Sequence, residues 1–189
     1  LSNNLGSLPQ SAQSPTTAGA SNLVVSEILT PDAPAVLESP AGDIQVNVPT
    51  GAVPAEAVLE YRQLNPLDVP PLGSGFSPTS KAFDLSIQQS SGQEATLLKP
   101  LTVVVEFDQA MADKAGMDRS RIVLQHYDSV ERKWEQLDTT VDFSNLTASA
   151  EVDSLSPFIL SVKDILLAML DVWSKAILAV YIAYIAVSS

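Results

Sequence analysis

Apolar and polar residues alternate with period two through the middle of this chain, in short runs separated by turn signals. That pattern marks half-buried strands. Asp43 to Val48 (DIQVNV) puts Ile44, Val46 and Val48 on one face. Ala57 to Tyr61 follows a Pro-Thr-Gly-Ala turn, and Ala82 to Ile87 (AFDLSI) groups Phe83, Leu85 and Ile87. Leu101 to Phe107 (LTVVVEF) is the strongest strand, and its apolar run predicts burial on both faces. Arg121 to Tyr127 and Lys133 to Leu137 flank an Asp128-to-Arg132 turn and predict a hairpin. Leu146 to Val152 and Leu155 to Val162 close the series, and only Gln109 to Gly116 reads as briefly helical. No helical crossover separates the strands, so antiparallel pairing follows. The predicted fold is an all-β antiparallel β-sandwich over residues 23–162.

The alternation then gives way to ILLAMLDVWSKAILAVYIAYIAV, from Ile165 to Val187, with two charges, Asp171 and Lys175. A spanning helix needs about 20 mostly apolar residues to cross a core of about 30 Å. This segment has 23 residues, or roughly 35 Å as a helix. Each charge costs roughly 2.5–3.5 kcal/mol at the bilayer centre. Asp171 and Lys175 lie four apart, on one helical face, where they can pair. Ala176, Ala179, Ala183 and Ala186 recur at steps of three and four, a small-residue stripe of the kind that lets helices approach closely in lipid. The expectation is a single C-terminal transmembrane helix within residues 163–189, packed against other transmembrane subunits. Two other readings stand beside it. Ile165 to Lys175 can lie in the interface with Trp173 at headgroup level, or the helix can dock on its own domain or on an oligomer.

Composition narrows the partners. Ten basic against 22 acidic residues give a net charge of −12, which argues against nucleic acid. The absence of cysteine excludes disulfides and thiol chemistry. Thirteen prolines suit turns between strands. Residues 7–22 (SLPQSAQSPTTAGASN) carry no charge, and residues 1–22 read as a flexible or extended tail. Leu1 reads as a processed or trimmed start. Lys163 and Lys175 precede the apolar run, which by the positive-inside rule places the domain in the cytoplasm. The tail and the resemblance below point to the periplasmic or extracellular side, which is the favoured placement.

GDIQVNVPTGAVP (Gly42 to Pro54) resembles the opening of ZU5-type domains and their bacterial immunoglobulin-like relatives: a glycine, an alternating strand, then a Pro-x-Gly-Ala turn. HYDSVERKWEQLDTTVD and LTASAEVDSLSPFIL are similar to their closing half, with a Tyr-Asp turn, a Trp and a Ser-x-Phe strand. The resemblance covers residues 35–162. It implies a β-sandwich with interaction or structural roles, often on exported proteins. Some members cleave themselves at a His-Phe-Ser site, which corresponds here to Ser154, Leu155 and Ser156. The serine is present but the activating histidine is not, and a hydroxyl without a base is a poor nucleophile.

Other candidate chemistry is sparse. His126 is the only histidine, so it has neither a second His nor a Cys with which to ligate metal. Asp108, Asp113 and Asp118 recur at five-residue spacing, too sparse for a calcium loop. Trp134 is expected in the core. Asn145-Leu146-Thr147 is a glycosylation sequon, meaningful only in a eukaryotic secretory setting. No residue set implies a cofactor. Pro66 to Pro78 (PLDVPPLGSGFSP) carries Leu67, Leu72 and Phe76 and is the candidate docking loop, the alternative being a loop packed on its own sandwich. The functional expectation is a non-enzymatic accessory or scaffold subunit of a membrane complex, a respiratory or photosynthetic assembly being a natural host. A free-standing surface adhesin and a self-cleaving signalling protein are the alternatives.

Overall fold

The computed structural model describes residues 23–89, 92–93 and 95–164. The N-terminal tail and the apolar segment, with Asp171, Lys175, Ala176, Ala179, Ala183 and Ala186, lie outside the described residues. Among the described residues no helix is long and apolar enough to cross a membrane.

In chain order the strands are β1 (Val24–Leu29), β2 (Ala35–Glu38), β3 (Ile44–Val48), β4 (Ala57–Gln63), β5 (Phe76–Gln89) and β6 (Leu101–Glu106). After helix α1 (Gln109–Ala115) and a 3₁₀ turn at Arg119–Arg121 come β7 (Ile122–Asp128), β8 (Lys133–Gln136), β9 (Thr140–Asp142), β10 (Thr147–Val152) and β11 (Pro157–Lys163). They form two antiparallel sheets, ordered β1-β4-β5-β11-β7-β8 and β2-β3-β6-β10-β9. The protein is therefore an antiparallel β-sandwich, as the period-two pattern predicts.

The inner faces follow that pattern. Ile44, Val46 and Val48 meet Leu101, Val103 and Val105 in one sheet and face Leu59, Leu85, Phe83 and Phe158 in the other. Tyr61, Phe83 and Phe158 stack in series, with ring centroids 5.8 and 5.4 Å apart. Phe83 and Phe158 are fully buried, and each such side chain contributes about 1.5–3 kcal/mol relative to exposure. Asp108 caps α1 by accepting from the Met111 amide at 2.8 Å, and Gly116 ends it in the left-handed region at φ 65°. Asp118 caps the 3₁₀ turn in the same way. Two of the three spaced aspartates thus have local capping roles.

Two expectations are corrected. β6 buries Leu101, Val103 and Val105, while Thr102 and Val104 are only half-buried and Glu106 is exposed. Its apolar run faces the core on one side only, because among the described residues no layer covers the other face of the five-stranded sheet. Trp134 lies on the edge strand β8, half-buried against Tyr127 at 5.3 Å and outside the core between the sheets.

Candidate functional site

Directly opposed residues of an antiparallel pair share a face. Ile159 stands opposite Ala82 and Gln125, and Ser161 opposite Val123. These five lie on the outer face of the six-stranded sheet, because their neighbours Phe158, Leu160 and Leu124 belong to the core. Yet Ile159 and Ser161 are 0 % exposed, Ala82 and Gln125 1 %, and Val123 6 %. Something covers them, and hydrogen bonds trace what it is. The connection between β4 and β5 leaves at Leu64, whose amide donates to Ala82 O at 2.9 Å. It reaches the far edge of the sheet, where Trp134 Nε1 donates to Pro70 O at 2.9 Å. It returns to the centre, where the Asp164 amide donates to Gly75 O at 2.6 Å. The Pro-rich loop is thus a third layer draped over β5, β11 and β7.

This placement sorts the candidate docking residues. Leu72 and Phe76 are half-buried in that layer, and Phe76 opens β5, with Lys163 Nζ 5.9 Å from its ring centroid. Leu67 is 89 % exposed at the Asn65–Asp68 turn, where its amide donates to Asn65 Oδ1 at 3.1 Å. Of the three, Leu67 alone presents an apolar side chain outward. Beneath the loop, Gln125 Nε2 donates to Ser161 Oγ at 2.6 Å, and Ser161 Oγ donates to Val123 O at 3.1 Å. The buried polar pair is satisfied internally, as burial demands.

A cleft of about 460 Å³ opens at the mouth between the sheets, between β5 and α1. Lys81 crosses it to pair with Asp43, which also accepts from Ser39 Oγ at 2.6 Å. Partial burial pushes the Asp43 carboxyl up, but the hydrogen bonds from Lys81 and Ser39 together outweigh it and hold the carboxyl below its ordinary range. Burial, with the Asp43 charge added, pushes the Tyr61 phenol up to about 12. The Lys81–Asp43 pair links the two sheets across the cleft.

The carboxylates of Asp128, Glu131 and Glu135, at the far end of the β7–β8 hairpin, lie within 4.8 Å of one another. Lys133 pairs with both Glu131 and Glu135, and His126 Nε2 lies 3.1 Å from Glu135 Oε2. Hydrogen bonds from Lys133, then from His126, hold Glu135 below its ordinary range. Lys133 thus already engages two of the three carboxylates, and Asp128 Oδ1 accepts from the Val130 and Glu131 amides at 2.7 and 2.9 Å.

At the positions matching the self-cleavage site, Ser154 to Ser156 form the turn between β10 and β11. Among the described residues the Ser156 hydroxyl donates to the adjacent Pro157 carbonyl, at 3.4 Å, and has no base beside it. Sequence reasoning missed the buried outer-face pair Gln125 and Ser161. The signal was there: one uncharged polar residue two positions after an apolar one, Gln125 after Val123 and Ser161 after Ile159, within apolar runs.

The geometry defines a two-sheet antiparallel β-sandwich with one outer face roofed by its own loop. No protein-family model matches the chain, and no curated protein does either.

Proposed function

We propose that this protein is a non-enzymatic, membrane-anchored accessory or scaffold subunit of a larger membrane complex. Its sandwich lies on the extracytoplasmic face, and its apolar segment packs against other transmembrane helices. One observation carries the reading: the strand that leads into Ile165–Val187 is β11, the strand between β5 and β7 in the larger sheet. β11 is hydrogen-bonded on both flanks. It is locked at its end by the Asp164–Gly75 bond and by Arg121 Nε donating to Lys163 O at 3.0 Å. An anchor joined there transmits its position to the whole sandwich rather than to a fraying edge. The Asp171–Lys175 spacing and the alanine stripe support a packed helix over a lone one, and the ZU5-like resemblance supports a structural role.

Mild-detergent extraction, followed by native-gel mass and mass spectrometry of co-migrating chains, tests the reading. Stoichiometric membrane subunits that dissociate on Asp171→Leu or Ala179→Leu are expected. Extraction as a lone chain with no co-migrating subunit overturns it.

A further inference from the structure

Among the described residues the sandwich has four edge strands, and three are blunted. β9 has three residues, β2 has four and follows Pro34, and β8 has four and carries Lys133 and Glu135. Short length and edge charges are the usual defences against unwanted pairing. The fourth edge, β1, is the longest at six residues, reads VVSEIL, contains neither Lys nor Pro, and carries one charge, Glu27, half-buried on its inner side.

The Gln63 amide donates to Leu23 O, so the odd-numbered residues of β1 turn their backbone groups toward β4. By the alternation of an antiparallel ladder, Val24, Ser26 and Ile28 turn theirs to the open edge. No described residue pairs with them there. The same three side chains lie on the outer face beyond the loop's cover, with Val24 50 % and Ile28 63 % exposed. Val58, opposite Ile28 on β4, extends the apolar row and is 38 % exposed.

We propose that a second copy of this chain pairs with β1, antiparallel across a twofold axis, with Ser26 opposite the partner's Ser26. The strand is self-complementary in this register. Val24 meets the partner's Ile28, Ile28 meets the partner's Val24, and all three open-edge residues exchange backbone hydrogen bonds. Glu27 disfavours the adjacent register. Centring the pair on Glu27 would set two carboxylates face to face, which is destabilising, whereas centring it on Ser26 sets each Glu27 opposite the partner's Val25. Pairing joins two six-stranded sheets into one continuous sheet. The contact is small, so the dimer is concentration-dependent, and confinement of both copies to one membrane would raise their effective concentration. The inference does not depend on the accessory-subunit reading.

The chain has no cysteine, so a single introduced thiol reports one position. Full-length protein in mild detergent carrying Ser26→Cys is treated with a short bis-maleimide, with Val130→Cys at the distant hairpin turn as the control. Covalent dimer is expected from Ser26→Cys and not from Val130→Cys. Adding Ile28→Lys, an exposed substitution whose fold is checked by circular dichroism, should weaken dimerisation by about tenfold or more in sedimentation equilibrium. Dimer that survives Ile28→Lys but is lost on Asp171→Leu places the contact in the apolar segment and overturns the proposal while leaving the subunit reading intact. A monomer whose Val24, Ser26 and Ile28 amides resist hydrogen exchange means that the chain covers its own edge, and also overturns it.

Discussion

Removing the Ser161 hydroxyl should cost more than removing both polar partners beneath the loop. Ser161→Ala deletes the acceptor of the Gln125 amide and the donor to Val123 O. Gln125 is 1 % exposed, so water cannot replace the lost partner. A stranded buried donor costs about 1–3 kcal/mol. Gln125→Leu leaves Ser161 bonded to Val123 and should cost about 1 kcal/mol or less. The double variant Gln125→Leu/Ser161→Ala strands no side-chain donor and should lie within about 1 kcal/mol of wild type, so the cycle should show a coupling of about 1 kcal/mol or more. Urea unfolding followed by Trp134 fluorescence, in a Trp173→Phe background, reads both the sheet and the loop tethered to it. A Ser161→Ala variant as stable as wild type would refute the reasoning. So would a double variant whose loss equals the sum of the singles, since it would mean that the two side chains do not act as a pair.

Two further outcomes follow from the charges and caps. Burial raises the Asp84 carboxyl against the smaller lowering effect of Arg62, 3.7 Å away. The folded state therefore binds this proton more tightly than the unfolded chain, and the ionised form works against folding at neutral pH. Asp84→Asn should raise the melting temperature at pH 7, with the gain shrinking as pH falls through the folded pKa towards 3.8; a loss at pH 7 would show that the Arg62 pairing dominates. Asp108→Ala should cost about 1 kcal/mol by uncapping α1, while Asp108→Asn keeps most of the stability. Equal losses in the two variants, measured by thermal unfolding, would rule out the cap as the cause.

Much of the sandwich is legible in the sequence because its inner faces are cleanly alternating. β3, the second half of β5, β10 and β11 each announce a buried side through every second residue. β1 is not legible, since Glu27 sits between Val25 and Leu29 on its inner side and breaks the apolar series. β2 and β9 are too short to show a period. The docking loop illustrates a different limit. Its composition marks an irregular Pro-rich segment, but its cover over the outer face depends on Trp134 reaching Pro70, 64 positions earlier. No local pattern encodes that contact. The same contact explains why Trp134 is not in the core: its indole N–H needs an acceptor, and the loop carbonyl provides one at the sheet's edge.

The position of β11 also orders the protein's assembly during synthesis. As the chain emerges, β1, β4 and β5 can pair with one another, and β7 can pair with β8. Neither group can join the other, because the strand between them is the last of the described strands to be made. Until residues 157–163 appear, Phe83 lacks Phe158 and the inner row of β7 lacks Leu160. A product truncated before Pro157 would hold two half-sheets with open central edges, which are templates for aggregation. The closing strand is followed at once by the apolar segment, so completion of the sandwich and delivery of that segment fall within the same few seconds of translation.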